Sequence, residues 1–206
     1  RQMCIRDSSE ASAELLSEES EDSDEEDSEK YEDDRYPLLS FSNTDMAFKD
    51  DIMVVGNYHG FNVYRLHEDA MPSLVSSVIC PGGQGDVSIV GHLLILSVEQ
   101  TRGRVDCGRD GVSEKVSEER FRGLRIFDLS DITRPRQVGQ VQTCRGSHTH
   151  SVVSGPDENG MIVVYNSGTS VVREEEELAG CIGNIAGDRR TALFRIDVIE
   201  IPIDSP

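Results

Sequence analysis

The chain has 206 residues and is acidic, with 39 Asp plus Glu against 20 Lys plus Arg and a formal net charge of −19. A chain this negative repels phosphate backbones, which excludes nucleic acid as a natural partner class. No apolar run approaches the ~18 residues of a membrane span, so no integral membrane segment is read in this chain.

The charge is concentrated at the start. Residues 1–36 hold 15 acids and 4 bases. The first eight, RQMCIRDS, resemble translated adapter sequence, and Cys4 is set aside on that ground. The stretch SEASAELLSEESEDSDEEDSEKYEDD is low-complexity acid and serine. It has too little to bury to offset its own ordering entropy, so 1–36 is expected to be a disordered acidic leader. It lacks the glycine and ligand spacing of an EF-hand loop.

From residue 37 onward the pattern changes to short β-type runs separated by Gly, Pro, Asn and Asp. In chain order the expected strands are NTDMAF (43–48), IMVVGN (52–57), FNVYRL (61–66), SLVSSVI (73–79), DVSIV (86–90) and HLLILSV (92–98). LRIFDL (124–129), RQVGQV (136–141), HSVV (150–153), MIVVYN (161–166) and LFRIDVI (193–199) follow. They are rich in Val and Ile, and helical periodicity is weak throughout. REEEELAG (173–180) is read as at most a helical turn or two, with a solvated acidic face.

These runs repeat. GFNVYRL from Gly60, GLRIFDL from Gly123 and ALFRIDV from Ala192 align with one another. So do CPGGQGDVSIV from Cys80 and CRGSHTHSVV from Cys144, and NTDMAF places Asp45 in the slot of Asp86 and His150. Asp45 and Asp86 are 41 residues apart, and Asp86 and His150 are 64 apart, the excess being an insertion before Gly123. A four-stranded unit repeating at roughly 40–45 residues is the signature of a β-propeller blade. The expected fold is therefore all-β, a partial β-propeller of about three four-stranded antiparallel blades over 37–206.

The segment GLRIFDLSDITRPRQVGQV resembles the LVIVD repeat, with Gly123, Asp128, Ser130, Asp131 and Pro135 at the repeat's glycine, Asp, Ser-Asp and Pro positions. GNYHGFNVYRL, VICPGGQGDVS and CRGSHTH extend the likeness to a group of bacterial, exported, largely uncharacterised LVIVD-repeat proteins. The resemblance implies an N-terminal piece of a longer propeller, with an extracellular, periplasmic or cell-surface location and the remaining blades as its natural neighbours. It departs at YRLHED, which lacks the Asp-x-Ser-Asp turn.

In a blade, the d-to-a and b-to-c connections emerge at the same end. Cys80 and Cys144 fall in d-to-a linkers, and Cys107 and Cys181 fall in b-to-c insertions over 99–122 and 168–190. Four cysteines allow three pairings, and repeat symmetry selects Cys80 with Cys107 and Cys144 with Cys181. The even cysteine count fits an oxidising compartment. There is no Cys-x-x-Cys, no P-loop, no Gly-x-Ser-x-Gly and no His-Glu-x-x-His.

Asp45, Asp86 and His150 are expected to open the innermost strands and to ring the channel mouth. Two readings follow. In one, these polar groups bond backbone amides and close each blade on the next. In the other, His148, His150 and Asp86 hold a divalent or copper metal ion, because His-x-His on an extended strand presents two imidazoles to one side. The corresponding functions are a binding or scaffold module for a protein or surface polymer, recognising it through disulfide-tied insertions, and a metal-dependent enzyme. GGQGDV is read as a flexible turn rather than a dinucleotide fingerprint. RGRVDCGRDG, with Arg102, Arg104 and Arg109, is read as an exposed loop with some capacity for anions.

Overall fold

A computed structural model describes residues 42–206 apart from Ala70 and Asn184. The acidic leader and Cys4 lie outside the described residues. The remainder is all-β, and among the described residues there is no helix long and apolar enough to cross a membrane.

Among the described residues, eleven strands form three antiparallel sheets. Sheet 1 runs β1 (Asn43–Lys49), β2 (Ile52–Asn57), β3 (Gly60–Leu66) and β4 (Pro72–Ile79) in sequential order. Sheet 2 repeats that meander with β5 (Val87–Val90), β6 (Leu93–Val98), β7 (Gly123–Asp128) and β8 (Arg136–Gln142). Sheet 3 has β9 (Thr149–Ser154), β10 (Met161–Ser167) and β11 (Asp197–Pro202). Tight connections account for the sequential pairing. Asp50, at the β1–β2 turn, has φ 51°, and Gly91, at the β5–β6 turn, has φ 60°, the left-handed backbone that two-residue hairpins demand.

The register ties the sheets into a repeat. Asp45 of β1 pairs with Gly56, and His150 of β9 pairs with Asn166. Ser97 donates its N–H to the carbonyl of Asp86, just before β5, which sets those two residues opposite each other in the same way. Asp45, Asp86 and His150 are therefore equivalent positions.

One expected strand moves. In sheets 1 and 2, Phe61 pairs with Gly56 and Leu124 with Ser97, and the matching pair in sheet 3 is Asp197 with Asn166. The true counterpart of Gly60 and Gly123 is thus Ile196 rather than Ala192. The strand is DVIEIP rather than LFRIDVI, and the insertion before it extends to 196. Burial explains the shift: Ile199 and Ile201 turn inward, whereas Phe194 and Ile196 are exposed.

Two apolar layers hold the sheets. Val54, Phe61 and Val63 of sheet 1 pack on Val87, Leu94, Leu96 and Phe127 of sheet 2, with the Phe61 and Phe127 rings edge to face at 4.9 Å. On the other side, Leu93, Ile95, Leu124 and Ile126 of sheet 2 pack on Ile162, Val164, Ile199 and Ile201 of sheet 3. Sheet 2 is the middle layer, and all six residues of β6 are buried.

Candidate functional site

The polar positions that open the first strands act first on the backbone. The N–H of Val87 donates to Asp45 Oδ2 at 2.9 Å, and the N–H of His150 donates to Asp86 Oδ2 at 2.9 Å. Each aspartate thus caps the start of the first strand in the next sheet. An amide at a strand start has lost its ladder partner, and a carboxylate is the strongest acceptor available to it.

At the junction of sheets 2 and 3 this contact grows into a cluster. His150 Nδ1 lies 2.8 Å from Asp86 Oδ2 and 2.8 Å from Ser97 Oγ, and Ser97 Oγ is 2.7 Å from Ser147 Oγ. The His150 side chain is fully enclosed. A carboxylate can only accept, so Nδ1 is the donor in the contact with Asp86. Nε2 is buried without a partner, as is Oδ1 of the neighbouring Asn166. Asn166 spends its Nδ2 donors on the carbonyl of Gly146 and on Asp197. Burial opposes ionisation of Asp86, but the hydrogen bond and charge of His150, its N–H and the Ser97 hydroxyl more than offset it. The carboxyl therefore titrates below its ordinary value.

A serine, a histidine and an aspartate in contact invite comparison with a nucleophilic triad. The geometry does not support one. A relay needs the hydroxyl and the carboxylate on opposite ring nitrogens, whereas Ser97 and Asp86 share Nδ1. The cluster works as a clasp between two sheets.

His148 does not join it. The expected metal set of His148, His150 and Asp86 assumed extended backbone from 148 onward. The chain instead bends at His148, and β9 begins one residue later. The imidazole turns away, with Nδ1 2.8 Å from Glu99 Oε2, an oxygen that also accepts from Thr169 Oγ1 at 2.7 Å. Only His150 and Asp86 meet. Among the described residues no group of three His, Cys, Asp or Glu side chains is placed to hold a metal ion.

The second region lies where the connections between second and third strands expand. Sheet 1 makes that connection with residues 58–59, sheet 2 with 99–122 and sheet 3 with 168–196. A disulfide joins Cys80, just after β4, to Cys107 in the first insertion. Another joins Cys144, just after β8, to Cys181 in the second. Two disulfides fit an oxidising environment.

Buried arginines complete the attachment. Arg120 bonds Glu177 Oε2 and the carbonyls of Thr101, Lys115 and Glu114. Arg173 Nε reaches Glu177 Oε1 at 2.5 Å, and its other nitrogens reach Gln142 and the carbonyl of Arg120. Arg125, with no exposed surface, lies over the Phe121 ring at 4.1 Å and bonds Gln137 and the carbonyls of Arg104 and Val105. Burial pulls its guanidinium down to about 10.

Sequence reading missed this layer. REEEELAG was expected to be a solvated face, yet the Glu177 side chain is almost fully buried. RGRVDCGRDG offers no spare cation at Arg104, which is paired with Asp106 and Glu119. The available signal was Arg125 in the middle of the apolar run GLRIFD, because an arginine inside a buried strand needs built partners. Compared with known proteins, the chain matches no family model, and no curated protein matches it.

Proposed function

We propose that this chain is part of an exported β-propeller of the LVIVD-repeat kind, and that it is a binding module whose ligand contacts come from the two insertions. The repeated meander, the equivalent first-strand positions and the aspartate-to-amide links between consecutive sheets support the blade arrangement. The observation that carries the binding role is the attachment of the insertions. Each is tied by a disulfide to the linker that precedes its sheet, and both are anchored by buried arginines. Ordering long loops costs conformational entropy. Loops held this way, at the same end of neighbouring sheets, present a preorganised surface, which is how loops on rigid scaffolds gain affinity. The disulfides support an extracellular, periplasmic or cell-surface location, and the partner class is a surface polymer or a surface protein.

The test is co-sedimentation of the intact oxidised protein with purified bacterial envelope polysaccharide and peptidoglycan. A variant carrying Arg109→Ala, Asp110→Ala and Arg189→Ala, three exposed insertion residues, is run beside it. Saturable binding that falls at least ten-fold in the variant is expected. Binding that the variant retains in full would move the ligand contact off the insertions.

A further inference from the structure

We infer that the guanidinium cluster between the two insertions binds a small monovalent anion of the halide class, anchored by Arg122. Two arginines, Arg120 and Arg173, bond one carboxylate there, and Arg122 lies within reach of their charges. Glu177 divides its oxygens, Oε2 toward Arg120 and Oε1 toward Arg173, so its charge is already shared by two cations. Arg122 is 2 % exposed and has neutral acceptors only: Nη1 donates to Ser170 Oγ and to the Val171 carbonyl, both at 2.8 Å. Its Nε–H is buried with no acceptor.

The charges that act on Arg122 are those of Arg173, Glu177 and Arg120, two further cations to one anion. Burial, reinforced by Arg173 and Arg120 and opposed by Glu177, draws the Arg122 guanidinium down to about 10. It is therefore still charged at neutral pH. A buried charge without a counter-charge is among the costliest features an interior can hold, and an N–H without an acceptor adds to it. A halide relieves both. It accepts N–H bonds from any direction and is the smallest anion able to enter between packed loops. The chain as a whole is strongly negative, so long-range attraction does not recruit anions here. The affinity is local, set by Arg122 and its two cationic neighbours. This inference stands whether or not the insertions are a recognition surface.

Thermal unfolding of the full oxidised chain at pH 7 tests it, with sodium chloride replacing sodium gluconate at constant ionic strength. The expected result is a saturating rise in Tm of about 3 °C at roughly ten times the dissociation constant. The rise disappears in Arg122→Met, and its midpoint moves at least ten-fold upward in Arg122→Lys. A Tm indifferent to chloride in the unsubstituted protein overturns the inference, as does an equal response in Arg122→Met or an equal response to sulfate. Should Arg122→Met fail to fold, crystals soaked in bromide decide. An anomalous peak within hydrogen-bonding distance of Arg122 Nε supports the site, and its absence there refutes it.

Discussion

Sheet 2 and its two neighbours share a sequential antiparallel meander, four strands in sheets 1 and 2 and three in sheet 3, but not the same surroundings. Sheet 2 lies between two apolar layers, and β6 reads LLILSV with every residue buried. Sheets 1 and 3 each pack one face in an apolar layer, though Val55 of β2 is also buried on the other face of sheet 1. Strand β10 alternates, with Ile162, Val164 and Asn166 inside and Tyr165 outside. On the outward faces Met46, Phe48, Tyr165 and Val198 are exposed. The nearly continuous apolar run of β6 thus goes with cover on both faces, and the alternation of β10 with cover on one.

The comparison can be broken in the core. Leu94→Ala or Ile95→Ala in β6 is expected to cost about 2–5 kcal/mol, the range for emptying a buried leucine or isoleucine site. Phe48→Ala on the outward face of sheet 1 should cost far less, and urea midpoints compare them directly. Equal losses would mean that the outward face is covered in solution.

Next in size is covalent attachment. Cys144→Ser with Cys181→Ser should lower stability by about 2–4 kcal/mol and open 168–196 to protease before the sheets are cut. The Arg125→Met change, in the middle of β7, should cost about 1–3 kcal/mol by stranding the carbonyls of Arg104 and Val105. Its cuts should fall in 99–122, while the β6 amides keep their hydrogen-exchange protection.

A smaller effect concerns the link between sheets 2 and 3. Asp86 has a folded pKa below its unfolded value. The unfolded chain therefore binds the proton first as pH falls. Its contribution is complete above the ordinary aspartate pKa of about 3.9 and is lost as pH drops through the lower folded value. Asp86→Asn should flatten that part of the acid-unfolding profile. A profile unchanged by the substitution would assign the acid sensitivity to other carboxylates. The smallest stability change, within about 0.5 kcal/mol, is expected for Tyr165→Lys on the outward face of sheet 3. Its readout is reduced concentration-dependent light scattering, because exposed apolar patches drive association.

Much of this organisation was legible in the sequence. Ten of the runs read as strands became strands near their expected places, because Gly, Asn and Asp turn signals bound them and β-branched residues fill them. The repeat spacing placed Asp45, Asp86 and His150 in equivalent slots, and it selected the two cysteine pairs that are joined. The eleventh run failed through its likeness to its siblings. ALFRIDV imitates GLRIFDL in composition, but burial of Ile199 and Ile201 moved the pairing four residues on.

What the sequence determined by itself is what short-range chemistry controls: strand periodicity, turn positions, the repeat and hence the cysteine partners. What only the tertiary structure decided is which polar groups lose water. His148 and His150 are two residues apart, yet a bend sends one to Glu99 and encloses the other beside Asp86. Glu177 sits in a run of four glutamates, yet its side chain is buried between Arg120 and Arg173. Arg173 is four residues from Glu177, but Arg120 is 57 away, Glu99 is 49 from His148 and Asp86 is 64 from His150, and no local pattern brings those groups together.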